Sequence, residues 1–138
     1  MNEQFSSMNP RNSIGPLSQA GNTAIVGAII DCQGYAAIQY AISTGVCVTG
    51  AATFAVLLEQ GDQSNLSDNT TVTAGLQGTA ALAAFTGAGS QSFKIGAVVS
   101  KRYSRLTITP SGNTGAALLS AVALLTRPTS APTPNPPT

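Results

Sequence analysis

Between residues 23 and 126 the chain is cut into short apolar runs, each closed by glycine, asparagine or proline, and this punctuation suits strands rather than long helices. The runs predict strands at 23–31, 35–43, 52–59, 80–85, 92–99, 102–109 and 117–126. The clearest is 102–109. There Tyr103, Arg105, Thr107 and Thr109 alternate with Ser104, Leu106 and Ile108, the period-2 pattern of a strand with one apolar and one polar, cationic face. Pro110, Gly112, Asn113 and Gly115 follow as turn residues, so 102–109 and 117–126 are expected to form a hairpin. Phe54, Val56 and Leu58 share one face of their run, and Phe93, Ile95, Ala97 and Val99 share another; these are the expected core. The segment 68–78 is open, since Asp68 suits the cap of a short helical turn while Thr70, Thr71 and Thr73 disfavour a long one. The whole reads as all-β, an antiparallel β-sandwich with a jelly roll among its admissible topologies.

Both ends look different from this middle. Residues 1–21 are rich in Asn, Ser, Gln, Gly and Pro and repeat at neither 2 nor 3.6, which predicts an extended N-terminal arm of up to ~70 Å. Residues 128–138 carry five prolines at 128, 132, 134, 136 and 137 and predict a Pro-rich tail. The sandwich domain is then 22–127.

Charge is scarce. Charged residues make up 8% of the 138, against about 25% in an ordinary soluble domain, and the net charge is +1. A surface so weakly charged favours association with other proteins. The charges are also segregated. Asp31, Glu59, Asp62 and Asp68 precede Lys94, Lys101, Arg102, Arg105 and Arg127, so early and late strands would neutralise each other if they pair, and would otherwise leave a basic face seeking an acidic partner. A few dispersed cations without interleaved aromatics give little support to nucleic-acid binding. Residues 32–58 carry no charge, but glutamines, hydroxyls and glycines interrupt them in a strand-like pattern, which argues against a membrane helix.

The chain has no histidine, which removes the commonest general base, the Ser-His and Cys-His nucleophile pairs and most transition-metal sites. Its carboxylates fall in no acid-base motif, so no enzyme, cofactor or metal is expected. Asp62, Asn65, Asp68 and Asn69 could offer oxygens to calcium, but not at EF-hand spacing. Gly87-Ala88-Gly89 suits a hairpin better than a dinucleotide loop. The sequons at Asn65 and Asn69 matter only in a secreted eukaryotic protein. Cys32 and Cys47 read as buried thiols, with a disulfide open if their strands are neighbours.

The stretch 101–115, with its K-R-Y-x-R-L-T-I-T-P-x-x-N-T-G string, resembles small head proteins of tailed bacteriophages. Residues 118–131, Phe93-Lys94-Ile95-Gly96 and 54–64 share in the likeness, which covers most of 22–132. Several such proteins decorate or cement the capsid. The resemblance implies a β-sandwich on the outside of the virion, made in the host cytoplasm, that binds the major capsid protein and self-associates as a dimer or trimer at symmetry axes. No nucleic acid or membrane partner is implied. On this reading the N-terminal arm is the clamp, with Phe5, Arg11, Ile14 and Leu17 as contacts, and Lys101, Arg102 and Arg105 add polar contacts. Arg102 and Arg105 could equally pair with Asp31 or Glu59 inside the domain. The rival function is a carbohydrate- or receptor-binding head-surface module on the same fold. It is handicapped by the absence of tryptophan, with Tyr35, Tyr40 and Tyr103 as its remaining aromatic platforms.

Overall fold

A computed structural model describes residues 3–78 and 91–134, together with the backbone of 81–82. Among the described residues a single 3-10 turn at Phe5–Ser7 is followed by eleven strands: β1 Met8–Gln19, β2 Ile25–Val26, β3 Ile30–Asp31, β4 Tyr35–Cys47, β5 Thr53–Gly61, β6 Thr70–Thr71, β7 Leu76–Gln77, β8 Ala81–Leu82, β9 Gln91–Val98, β10 Tyr103–Ser111 and β11 Ala117–Pro128. They form two antiparallel sheets. Sheet A runs β1-β11-β4-β9-β7 and sheet B runs β2-β10-β5-β6, with β3 also on β10 and β8 also on β5. With β2 and β3, and β6 and β8, taken as broken halves of single strands, and the two-residue β7 at the edge of sheet A set aside, the order becomes 1-8-3-6 over 2-7-4-5. That is a jelly roll, in which nearly every connection crosses from one sheet to the other.

This topology overturns the expected hairpin. β10 and β11 lie in different sheets, and 112–116 carries the chain across the sandwich. Gly112 takes φ +69, and the buried Asn113 pins the crossing: its N–H donates to Asn22 Oδ1 at 2.8 Å, and its Nδ2 donates to the carbonyls of Gln19 and Gly21. The turn residues were legible, but they serve a sheet-to-sheet bridge.

The run at 23–31 is likewise two strands rather than one. Gly27 donates to the Leu106 carbonyl in sheet B at 2.8 Å, and Ala28 next to it donates to Ser13 of β1 in sheet A at 2.9 Å, so this segment staples the two sheets along one edge. A Cβ on Gly27 would fall 2.7 Å from both the Leu106 carbonyl and Ser13 Oγ, which leaves room for glycine alone. Of the run at 80–85, Ala81–Leu82 pairs with β5 at Phe54 and Ala55; the remainder and Gly87-Ala88-Gly89 lie outside the described residues. The segment 68–78 contains β6 and β7 and no helical turn.

The two ends correct the sequence reading most. Residues 8–19 are not a free arm but strand β1, the edge of sheet A, paired with β11 from Met8↔Thr126 to Gln19↔Ala117. Pro10 and Pro16 are tolerated because an edge strand need not donate on both sides. The tail from Thr129 to Pro134 does not project either. Thr133 is buried, its N–H donates to the Ser6 carbonyl at 2.9 Å and its hydroxyl to the Met8 carbonyl at 2.8 Å, so it lies against the N-terminal turn.

The core is the expected one. Phe54, Val56, Leu58, Leu106 and Ile108 of sheet B face Ile38, Ile42, Ile95, Ala97 and Leu125 of sheet A, all buried, with Phe93 and Val99 partly buried against them. A large side chain removed from water in this way contributes about 1.5–3 kcal/mol. At its centre Tyr40 donates to Ser104 Oγ at 3.1 Å, and desolvation drives its hydroxyl pKa well above the ordinary value. Cys32 and Cys47 are buried free thiols; burial, aided by the Asp31 charge, pushes Cys32 up to about 12.

Candidate docking face

The two sheets differ in what they show to solvent. Sheet B carries ion pairs. Arg105 lies directly across from Glu59, with Nη2 and Nε at 2.8 and 3.0 Å from Oε2. Arg102 grips Asp31 with two bonds of 2.8 and 3.1 Å and lies over the Tyr103 ring at 5.1 Å. Two of the late cations and two of the early acids therefore neutralise each other within the fold, in line with the first of the two arrangements the charge order allowed.

The Arg105–Glu59 pair is the more enclosed, with side chains 22% and 11% exposed. Breaking one partner leaves a desolvated charge, whereas replacing both removes it. Arg105→Met is expected to cost about 2–3 kcal/mol in urea unfolding, and adding Glu59→Leu should recover most of that loss. A double variant no more stable than the single would show that the pair is not the cause.

Carboxylates also set the pH response. The Arg102 guanidinium holds Asp31 below its usual range, the Asp62 and Gln63 N–H groups do the same for Asp68, and Ser6 does so for Glu3. A carboxyl lowered in the folded state stabilises the fold above its unfolded value, about 4, and that stabilisation is lost as pH falls through the folded value. With no histidine, the urea midpoint should be flat from about pH 5 to 8 and fall in acid; a step near pH 6–7 would contradict this.

Three of the four side chains considered for calcium use oxygens internally: Asp68 accepts from the Asp62 and Gln63 N–H groups, Asp62 Oδ1 from the Arg102 N–H, and Asn65 Oδ1 from the Ser67 N–H. Among the described residues no three His, Cys, Asp or Glu side chains converge on a metal position, and no helix is long and apolar enough to cross a membrane.

Sheet A presents the opposite surface. β11 alternates strictly, with Ala121, Ala123 and Leu125 inward and Leu118, Val122 and Leu124 outward. The registers join its outward residues into rows across the sheet. One row is Asn12, Val122, Ala41 and Lys94; the next is Pro10, Leu124, Gln39 and Gly96; a third is Met8, Thr126, Ala37 and Val98. On the other side lies Ser120, Ser43 and Ser92. Lys94 is the one charge in these rows. Four strands about 4.8 Å apart and four rows about 7 Å apart cover roughly 500 Å². Phe5, 71% exposed, extends the apolar surface beyond Met8 and Pro10 towards Pro134.

Two register shifts add relief. β1 slips between Ile14 and Leu17 and β11 slips against β4 between Ala117 and Leu119, at the same level of the sheet. Such irregularities bend strands and re-aim side chains. Here they open a shallow depression of about 500 Å³ beside Pro16, Leu118 and Gly45, with hydroxyls of Ser18, Ser43 and Ser120 around it.

The sequence-derived contact residues do not form one surface. Phe5 adjoins the sheet A face. Ile14 is 4% exposed and belongs to the core, and Leu17 packs against it, because both point inward from β1 opposite Ala121 and Leu119. Arg11 also points inward, opposite Ala123, into a cleft at the sandwich edge. Arg102 and Arg105 are committed to Asp31 and Glu59 on the other sheet, and half-buried Lys101 precedes β10. Sequence reasoning missed Leu118, Val122 and Leu124. Their signal was present: 117–126 is apolar on both faces, more than one core requires. The aromatic platforms of the rival reading are weak, since Tyr40 is fully buried, Tyr103 is half-buried beneath Arg102 and the Tyr35 hydroxyl accepts from Asn9 Nδ2 at 2.7 Å.

No protein-family model and no curated protein matches the chain. Among solved structures it is similar to a chain in the structure of infectious bursal disease virus, Gx strain, with a TM-score of 0.53 and 16% identity over 89% of this chain and 32% of that one. It also resembles the CBM22-1 xylan-binding domain of Xyn10C from Paenibacillus barcinonensis, with a TM-score of 0.46 and 11% identity over 87% of this chain and 85% of that one. The chain thus spans about a third of the viral chain, and at this identity the likeness is one of fold: a β-sandwich of a kind found in a virus particle.

Proposed function

We propose that this chain is a non-enzymatic virion structural protein that docks the outer face of sheet A onto the shell of a tailed-phage head, decorating or cementing neighbouring major capsid subunits. The observation that carries this reading is the nearly uncharged face of sheet A beside a sheet B whose charges are already paired. Eight of the fifteen residues in the sheet A rows are apolar and Lys94 is their one charge, and a surface so weakly charged favours association. The sheet A face and its extension through Phe5 approach the ~800 Å² that each partner contributes to a standard interface. The sandwich fold shared with a viral chain and the likeness of 101–115 to phage head proteins support the same reading. The fold accounts for the reach of such a protein differently from an arm: residues 8–19 are part of the sheet and contribute Met8 and Pro10 to the face. Capsid shells offer symmetric sites, so bound copies are expected to meet as dimers or trimers at their axes.

Purified chain should co-sediment saturably with particles that lack it and raise the temperature at which those particles lose DNA. Particles that neither bind nor gain stability, while immobilised glycans retain the protein, would transfer the reading to the carbohydrate- or receptor-binding alternative.

A further inference from the structure

The edge of the sandwich between β1 and the β2–β3 segment holds a cleft of about 550 Å³ lined by Arg11, Asn12, Ile29, Asp31, Gln33 and Tyr35. Arg11 stands in it unusually. Arg102 and Arg105 each hold a carboxylate, whereas Arg11 makes no ion pair among the described residues and its buried Nε–H has no acceptor. Buried polar groups are almost always satisfied, so the Arg11 Nε–H is hydrogen-bonding capacity that the protein itself does not use.

With Arg102 counted behind Asp31, the charge around the cleft sums to +1. Asp31, the acid in its lining, is hydrogen-bonded by Arg102, whose Nε and Nη2 donate to Oδ1 and Oδ2, and by the Gln33 N–H; Arg11 acts on it through space alone, adding to the lowering of its pKa. The Tyr35 hydroxyl accepts from Asn9, which leaves its own proton free to donate. Gln33 adds an amide donor to the lining. A guanidinium fork, a phenol proton and an amide around one opening match a planar anion with two acceptor oxygens.

We propose that the Arg11 cleft is a carboxylate-binding site, with Arg11 as the principal ligand and Tyr35 and Gln33 as supporting donors. The carboxylate is either an acidic side chain of a protein or a free small acid. The site faces the sandwich edge rather than the outer face of sheet A, so it stands or falls separately from the shell-docking reading. An inward-pointing charge on an edge strand also discourages edge-to-edge pairing, a role that a carboxylate probe does not read.

The test is titration of the ¹⁵N-labelled full chain with a blocked glutamyl peptide, its glutaminyl counterpart and succinate, following the Arg11 Nε–H signal by NMR. Saturable shifts with the glutamyl peptide or succinate and none with the glutaminyl peptide are expected, weakening with salt. The tighter of the two acids identifies the source. Arg11→Gln should weaken binding at least tenfold, Arg11→Lys should weaken it less, and Arg127→Gln should leave it unchanged. Unaltered affinity in Arg11→Gln, equal shifts with the glutaminyl peptide, or no saturation with either acid overturns the proposal. Should Arg11→Gln fail to fold, the wild-type Nε–H signal and Arg11→Lys still decide it.

Discussion

Val122→Asp is expected to abolish shell binding while the isolated chain stays folded. Val122 sits in a central row of the sheet A face, between Asn12 and Ala41, and is 38% exposed, so an aspartate there remains hydrated in the free protein. The substitution costs the isolated fold only about 1 kcal/mol, mainly through lost β-propensity. Docking removes that hydration, and the row offers no cation closer than Lys94 on the second strand along. A desolvated, unpaired carboxylate at the centre of an interface costs about 3 kcal/mol or more, hence roughly a 100-fold loss of affinity. Thr109→Asp is the control. Thr109 is exposed on β10 in sheet B, facing away from the proposed contact, and its replacement should leave binding intact. Co-sedimentation in which Val122→Asp binds like the unmodified chain, or in which both variants fail equally, removes sheet A as the docking surface.

Much of the fold was readable because the central strands obey simple alternation. In β10 the even positions Ser104, Leu106 and Ile108 are buried, as the pattern demands, and in β5 Phe54, Val56 and Leu58 are too. β1 was hidden for a physical reason. Its inward residues include Asn9, Arg11 and Ser13, so the buried side of this edge strand is polar and broken by bulges, and no apolar period marks it. The hairpin error has a different origin. Pro110, Gly112 and Asn113 specify a reversal of the chain but not the sheet the next strand joins, which depends on contacts as remote as Asn113 to Gln19. A jelly roll in fact forbids that hairpin, since its seventh and eighth strands lie in opposite sheets. The docking face was partly legible for the same reason that it was overlooked. Lys101, Arg102 and Arg105 draw attention because charge is rare in this chain, yet the rarity itself points to the uncharged surface.

Leu125→Ala and Leu118→Ala together test whether the two faces of β11 are assigned correctly, because they remove the same atoms from opposite sides of one strand. Leu125 is fully buried, paired with Asn9 on one side and Ile38 on the other, and its truncation leaves a cavity between the sheets. Leu→Ala at such a site costs about 3–5 kcal/mol, a large share of the 5–15 kcal/mol that stabilises a typical domain, and should lower the melting temperature by roughly 10 °C or more. Leu118 is 44% exposed, so the same change should cost about 0.5 kcal/mol or less. Shell binding should show the reverse order, with Leu118→Ala weakening it and Leu125→Ala leaving it unchanged at temperatures where that variant is folded. Equal stability losses would mean that Leu118 is covered in the purified protein. If that loss shrinks on dilution, the cover is a second copy of the chain, because a partner that binds only the folded state stabilises it in proportion to concentration. A loss independent of concentration would instead show that the outer face of sheet A is closed within a single chain, leaving no surface there for a shell to occupy.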